Sequence, residues 1–150
     1  MTDVFGKILA TLLCFIMLFV MPFTWVTLSN EMVARRTIMN EMQSFIDETI
    51  DSRQITDAQI EDFYLGISGL GPVCAVEIER YVRTVDPDPM NPGEVRVTYV
   101  FTENNRTFSQ GDKVKVRVHA ISYTGAERLL RSTVGLWLPT IDYTFAGRVR

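Results

Sequence analysis

ILATLLCFIMLFVMPFTWVTLSN, residues 8–30, carries no charged side chain, and its reading decides the fold. As a helix rising about 1.5 Å per residue it extends roughly 34 Å, enough to cross a hydrocarbon core of about 30 Å. A secretory signal peptide has an apolar stretch of about 7–15 residues followed by a small-residue cleavage motif. Here the run is longer and closes on Val26-Thr27-Leu28-Ser29-Asn30, which offers no such motif. The segment is therefore expected to be a retained membrane helix. Lys7 and the amino terminus flank it on one side, Arg35 and Arg36 on the other. That count leans slightly towards a cytoplasmic C-terminal part, although a long translocated domain overrides so small a difference.

Outward from the span, residues 31–55 (EMVARRTIMNEMQSFIDETIDSRQI) contain neither Gly nor Pro. Met32, Met39, Met42, Ile46 and Ile50 recur at helical spacing, widened by Ile38 and Phe45, which predicts that the membrane helix continues as an amphipathic stalk to about residue 51. Such a stalk cannot bury its own outer stripe. Thr56 followed by Gln59 has the form of a capping box, opening a short helix through Ile60, Phe63, Tyr64 and Ile67 that Gly66, Gly69, Gly71 and Pro72 bring to an end.

From Val73 the period changes to two. Val76, Ile78 and Val82, then Val95, Val97, Tyr99 and Phe101, then Val114, Val116, Val118 and Ala120 mark three antiparallel strands. The Pro-rich stretch Asp86–Gly93 and the turn residues Asn104-Asn105 and Gln110-Gly111-Asp112 separate them. Consecutive pairing gives a meander. Gly125–Leu138 is a short helix or a loop stopped by Pro139, and Ile141, Tyr143 and Phe145 alternate in a last strand. Val97, Tyr99, Val116, Val118, Tyr143 and Phe145 are expected on one buried face. The fold class is α+β: residues 1–55 form a transmembrane and stalk helix, and residues 56–150 a small antiparallel β domain with a leading helix.

Composition narrows the function. The chain has 150 residues, 15 basic and 18 acidic, for a net charge of −3, which leaves no cationic excess for a phosphate backbone, so nucleic acid is not an expected partner. Two cysteines and one histidine are too few for a disulfide scaffold or a Cys/His zinc site. Cys14 lies within the span and Cys74 reads as a small buried residue. His119 falls on the strand face opposite Val116 and Val118, with no nucleophile or ligand signalled beside it.

Gly66-Ile67-Ser68-Gly69-Leu70-Gly71 lacks the order and the lysine of a phosphate-binding loop and reads as a helix terminator. Asp86, Asp88, Asn91 and Glu94 offer oxygens to calcium, but the prolines among them describe a plain turn. Asn105-Arg106-Thr107 has the glycosylation pattern and reads as a turn. No catalytic, cofactor-binding or metal-binding residue is expected, and no cofactor.

A very short leader, a charged residue before an apolar span, Pro22 well inside it, an amphipathic continuation and a small antiparallel sheet together resemble the type IV pilin superfamily. The second half resembles the Tad-type pseudopilins in three stretches. These are Gly111-Asp112-Lys113-Val114-Lys115-Val116-Arg117-Val118, the Leu/Pro connection Leu136-Trp137-Leu138-Pro139, and Thr144-Phe145-Ala146-Gly147-Arg148-Val149-Arg150. Gly6 is followed by Lys7-Ile8-Leu9-Ala10-Thr11, without the glutamate that the family's leader peptidase site places at the fifth position.

The resemblance implies a filament whose long helices pack in its core. Assembly residues would be Asp3 in the place of the family's glutamate, Leu12, Phe15, Phe19 and Pro22 along the span, and Met32, Met39, Met42 and Ile46 along the stalk. It also implies self-association, residence in the membrane before assembly, pilus assembly machinery as partner, and an external C-terminal domain.

Three classes of function follow: a structural filament subunit, a membrane-anchored accessory or binding module that does not polymerise, and a small tethered enzyme. The stalk stripe favours the first. Residues 31–72 hold three basic and eight acidic residues, a net of −5, and residues 73–150 eleven basic and nine acidic, a net of +2. The acidic stalk is thus expected to meet Arg117, Arg128 or Arg131 of neighbouring heads.

Overall fold

In the computed structural model the described residues are 2–69, 72–91, 93–104, 106–133, 135 and 139–150, with the side chains of Thr2, Asp3 and Thr133 excluded. The expectations for Gly71, Asn105, Leu136, Trp137 and Leu138, and for the side chain of Asp3, lie outside them. Helix α1 (Thr2–Phe15), a π-helical turn (Ile16–Val20) and helix α2 (Met21–Ser52) run on without a break. Pro22 explains the turn. A regular α-helix would set its ring against the carbonyl of Leu18 and leave that carbonyl without a donor. The extra residue of a π turn relieves this clash, and the Met21 N–H donates to Ile16 O, five residues back.

Arg53, at φ 56°, ends α2 in the left-handed conformation and donates its N–H to Thr49 O. Helix α3 (Asp57–Ser68) then folds back along the stalk. Its capping box is complete: the Thr56 N–H donates to Gln59 Oε1 at 2.8 Å and the Gln59 N–H to Thr56 Oγ1 at 3.2 Å. Phe63 stacks on Phe45 with ring centroids 4.8 Å apart.

Strands β1 (Cys74–Pro87), β2 (Val95–Thr102), β3 (Lys113–Ala120) and β4 (Asp142–Arg148) form one antiparallel sheet in the order β2-β1-β3-β4. This corrects the expected meander. Strand β1 is long enough to pair with β2 along Arg80–Pro87 and with β3 along Cys74–Tyr81 on its other edge. The β2–β3 connection leaves β2 opposite Arg80 and enters β3 opposite Tyr81, so it crosses β1 at mid-strand. It is fastened there to the stalk terminus: Ile55 N–H donates to Arg106 O, Phe108 N–H donates to Arg53 O, and Phe108 is buried. Strand β1 also includes Asp86 and Pro87, so the Pro-rich turn is shorter than expected. Helix α4 (Gly125–Thr133) takes the helical option for that stretch.

The sheet lies on α2. Ile38, Met42, Phe45 and Ile46 are buried beneath Val114, Val116 and Val118, so the stripe that the sequence leaves in search of a neighbour is covered by the chain's own head from Ile38 outward. Register also divides the residues expected on one face. Phe145 and Tyr143 pair with Val116 and Val118 and share the inner face, whereas Tyr99 and Val97 pair with Arg83 and Val85, on the outer face of β1. Opposite Val114, Gly147 brings β4 so close to the stalk that an added Cβ would lie 2.5 Å from Ile50 Cδ1 and 2.6 Å from Ile46 Cγ2.

Candidate assembly surface

Residues 4–23 are exposed all round the helix. Val4–Ser52 is long and apolar enough to cross a membrane, and its most apolar window has a mean hydropathy of 2.5 with nothing buried. The threonine hydroxyls of the span are satisfied internally: Thr11 Oγ1 donates to Lys7 O, Thr24 Oγ1 to Met21 O and Thr27 Oγ1 to Phe23 O. Hydroxyls bonded to their own helix make no demand on water, as an apolar medium requires. Phe15 and Phe19, four residues apart, stack with centroids at 5.1 Å.

The expected assembly residues therefore separate into two groups. Leu12, Phe15, Phe19, Pro22 and Met32 are exposed, on or just beyond the span. Met39 is half-buried, and Met42 and Ile46 are buried inside the chain, at 0% and 5% exposure. Their burial is against this chain's β3 and β4, because the head closes on the outer half of the stalk.

Where the head meets the end of the span, α4 packs its Ala126, Leu129 and Leu130 against Thr24, Thr27 and Leu28. Glu31 pairs with Arg35 at 2.9 Å, and Arg35 also donates to Pro139 O at 2.8 Å. Thr124 Oγ1 accepts from the Glu127 N–H, capping α4. Sequence reading missed this contact, although Thr124-x-x-Glu127 has the capping-box form and Ala126, Leu129 and Leu130 have helical spacing.

The outer face of the sheet is a charge ladder. Arg117 bonds Asp142 through Nε at 3.0 Å and Nη2 at 2.9 Å, with Glu77 at 3.8 Å, and Lys115 donates to Glu79 at 2.8 Å. Hydrogen bonds from Lys115 and Tyr81 hold the Glu79 carboxyl below its ordinary range, and Arg117 does the same for Asp142. Arg117 is thus engaged within its own head, and Arg131 stacks over Tyr123. Of the three arginines expected to meet a neighbour's stalk, Arg128 and Arg131 are exposed and Arg117 is half-buried.

His119 lies between Ala75 and Asp142 in neighbouring strands, with Nδ1 buried and without a partner. Burial pushes the Cys74 thiol up, away from the reactive thiolate. Among the described residues no group of His, Cys, Asp and Glu is placed to hold a metal ion. An open cleft of about 930 Å³ at the far end of the stalk brings Asp47 and Asp51 near Arg83, Arg148 and Arg150. No family model matches the chain, and no curated protein or solved structure matches it either.

Proposed function

We propose that this chain is a structural subunit of a pilus-like cell-surface filament, held together by packing of the N-terminal apolar helices, with the head outside. The observation carrying the reading is the contrast along one helix: the head covers the outer half from Ile38, while the surface from Val4 to Val33, with Leu12, Phe15, Phe19 and Met32, is left mostly uncovered. Lipid covers this surface before assembly. After extraction from the bilayer, only like helices offer an apolar environment of the same length, at about 25 cal/mol for each Å² buried. Its partners are further copies of itself, the membrane before assembly, and the machinery that extracts it. Gentle shearing of cells followed by electron microscopy tests this: fibres containing the protein support it, and protein that stays wholly in the membrane fraction overturns it.

A second reading, a membrane-anchored accessory module that does not polymerise, is favoured by a different observation. Ile38, Met42, Phe45 and Ile46 are already covered by the chain's own sheet, so the head and stalk need no neighbour to be stable. The same shearing experiment separates the two.

A further inference from the structure

We infer that the base of the head, built on helix α4, is a docking surface for the headgroup layer of the bilayer in which the span sits, and that it prefers anionic phospholipid. The inference rests on reading residues 8–30 as a membrane span, and does not depend on polymerisation.

The argument begins with depth. Counted from Ile8, about 30 Å of hydrocarbon takes up about 20 helical residues and ends near Thr27. Helix α4 packs on Thr24, Thr27 and Leu28, so the head does not stand clear of the bilayer on its stalk. Its α4 is held at the boundary itself. The chain direction agrees: β3 starts beside the outer end of the stalk, where the Val149 N–H donates to Asp112 O and Val149 O accepts from the Gly111 N–H near Ile50, and finishes at Ala120 towards the span.

The residues at that end have the chemistry of an interface. Val73 and Ile121, joined by a backbone bond, are 61% and 68% exposed, and Tyr123 is 50% exposed. Apolar and tyrosyl side chains in such positions suit the headgroup level, where the ring is half in hydrocarbon and the hydroxyl in water. Above them α4 divides by face. Ala126, Leu129 and Leu130 turn to the span, while Arg128 and Arg131 stay exposed, Arg131 with its guanidinium 5.1 Å from the Tyr123 ring. Two cations on an amphipathic helix at this depth complement lipid phosphates. Arg36 serves as an internal control, since it stands about 13 Å above the boundary, beyond a headgroup layer and a Debye length.

The test uses the full chain with Cys14 and Cys74 replaced by serine. It is reconstituted in vesicles of phosphatidylcholine, alone or mixed with phosphatidylglycerol. Spin labels are placed singly at Phe19→Cys, Ser132→Cys and Asn40→Cys, and their exposure to oxygen and to a water-soluble nickel chelate is measured. The expected result is Phe19 in the hydrocarbon, Asn40 in water and Ser132 at headgroup depth. Phosphatidylglycerol should increase the immobilised fraction at Ser132. Arg128→Ala should lower the docked-to-free ratio roughly fivefold in the mixed vesicles, and Arg36→Ala should change it less than twofold.

A Ser132 label as aqueous as Asn40, with Phe19 in the bilayer, overturns the docking surface. Docking indifferent to phosphatidylglycerol and to Arg128→Ala overturns the preference for anionic lipid. A Phe19 label in water overturns the span itself, and the two failures are thereby told apart.

Discussion

The Arg80 guanidinium donates to Asp112 Oδ2 through both Nε, at 3.0 Å, and Nη2, at 2.6 Å. Asp112, 1% exposed, also accepts from the backbone N–H groups of Ser109 and Arg83. One carboxylate thus ties β1 to the turn that delivers β3 to its edge. Burial alone would raise the Asp112 carboxyl, but bonds from Ser109, Arg80 and Arg83 together outweigh it and hold the group below its ordinary range.

Asp112→Ala leaves the Arg80 charge with little solvent and no counter-charge, only the Asn104 carbonyl at 3.3 Å and the Phe108 ring beside it, a change expected to cost about 3–5 kcal/mol in thermal unfolding. The direction of the pKa also sets a pH dependence. A depressed folded value stabilises the head fully above the unfolded value of about 3.9, and this contribution is lost as pH falls through the lower folded value. Melting temperature followed into acid should drop less steeply for Asp112→Asn than for the native chain. Parallel curves would remove Asp112 from the explanation.

At position 147 the constraint is space. Gly147→Val places a side chain where Ile46 and Ile50 already lie, and the overpacking should cost about 1–3 kcal/mol. Shortening the stalk by Ile50→Ala in the same chain should restore part of that loss, whereas additive effects in a double-mutant cycle would deny the contact.

The two faces of the sheet predict opposite responses to one chemical change. Val116, with no exposure, should not tolerate Asp, because a carboxylate there is buried without a partner. Val97→Asp on the outer face of β2 should move stability by no more than about 0.5 kcal/mol. Comparable losses at both sites would mean that the β1–β2 register is wrong.

For assembled filaments, cohesion and register should separate by solvent. Exposed ion pairs are worth at most about 1 kcal/mol each and are screened beyond about 8–10 Å at physiological salt. Molar salt is therefore expected to loosen the packing without dissolving fibres, and detergent that solvates residues 8–30 to dissolve them. Sedimentation after each treatment decides, and fibres that resist detergent but disperse in salt would reverse the roles.

Local signals were readable wherever their cause lies within a few residues. The uncharged run, the helical stripe of the stalk, the Thr56–Gln59 box and the period-two strands all appear as expected, since hydrophobic periodicity and capping act between neighbours in the chain. Strand order was not readable this way. A period of two marks which residues share a face but not which edge of β1 a later strand takes, and Phe108 and Ile55 settled that by fastening the β2–β3 connection to the stalk end.

The membrane-length helix, the π-helical turn that Pro22 imposes ahead of itself and the α-then-β order belong to the amino-acid sequence alone, because each follows from side-chain chemistry and local backbone sterics. What covers the stalk does not. Met42 and Ile46 have the same spacing whether a second copy or the chain's own sheet lies against them, and only long-range packing, with Gly147 allowing β4 to approach, assigns them to the head. The placement of α4 against Thr27 and Leu28 is of the same kind. Its apolar face is written in the sequence, but its partner lies about a hundred residues earlier in the chain, and tertiary contact alone brings the base of the head to the level where the span ends.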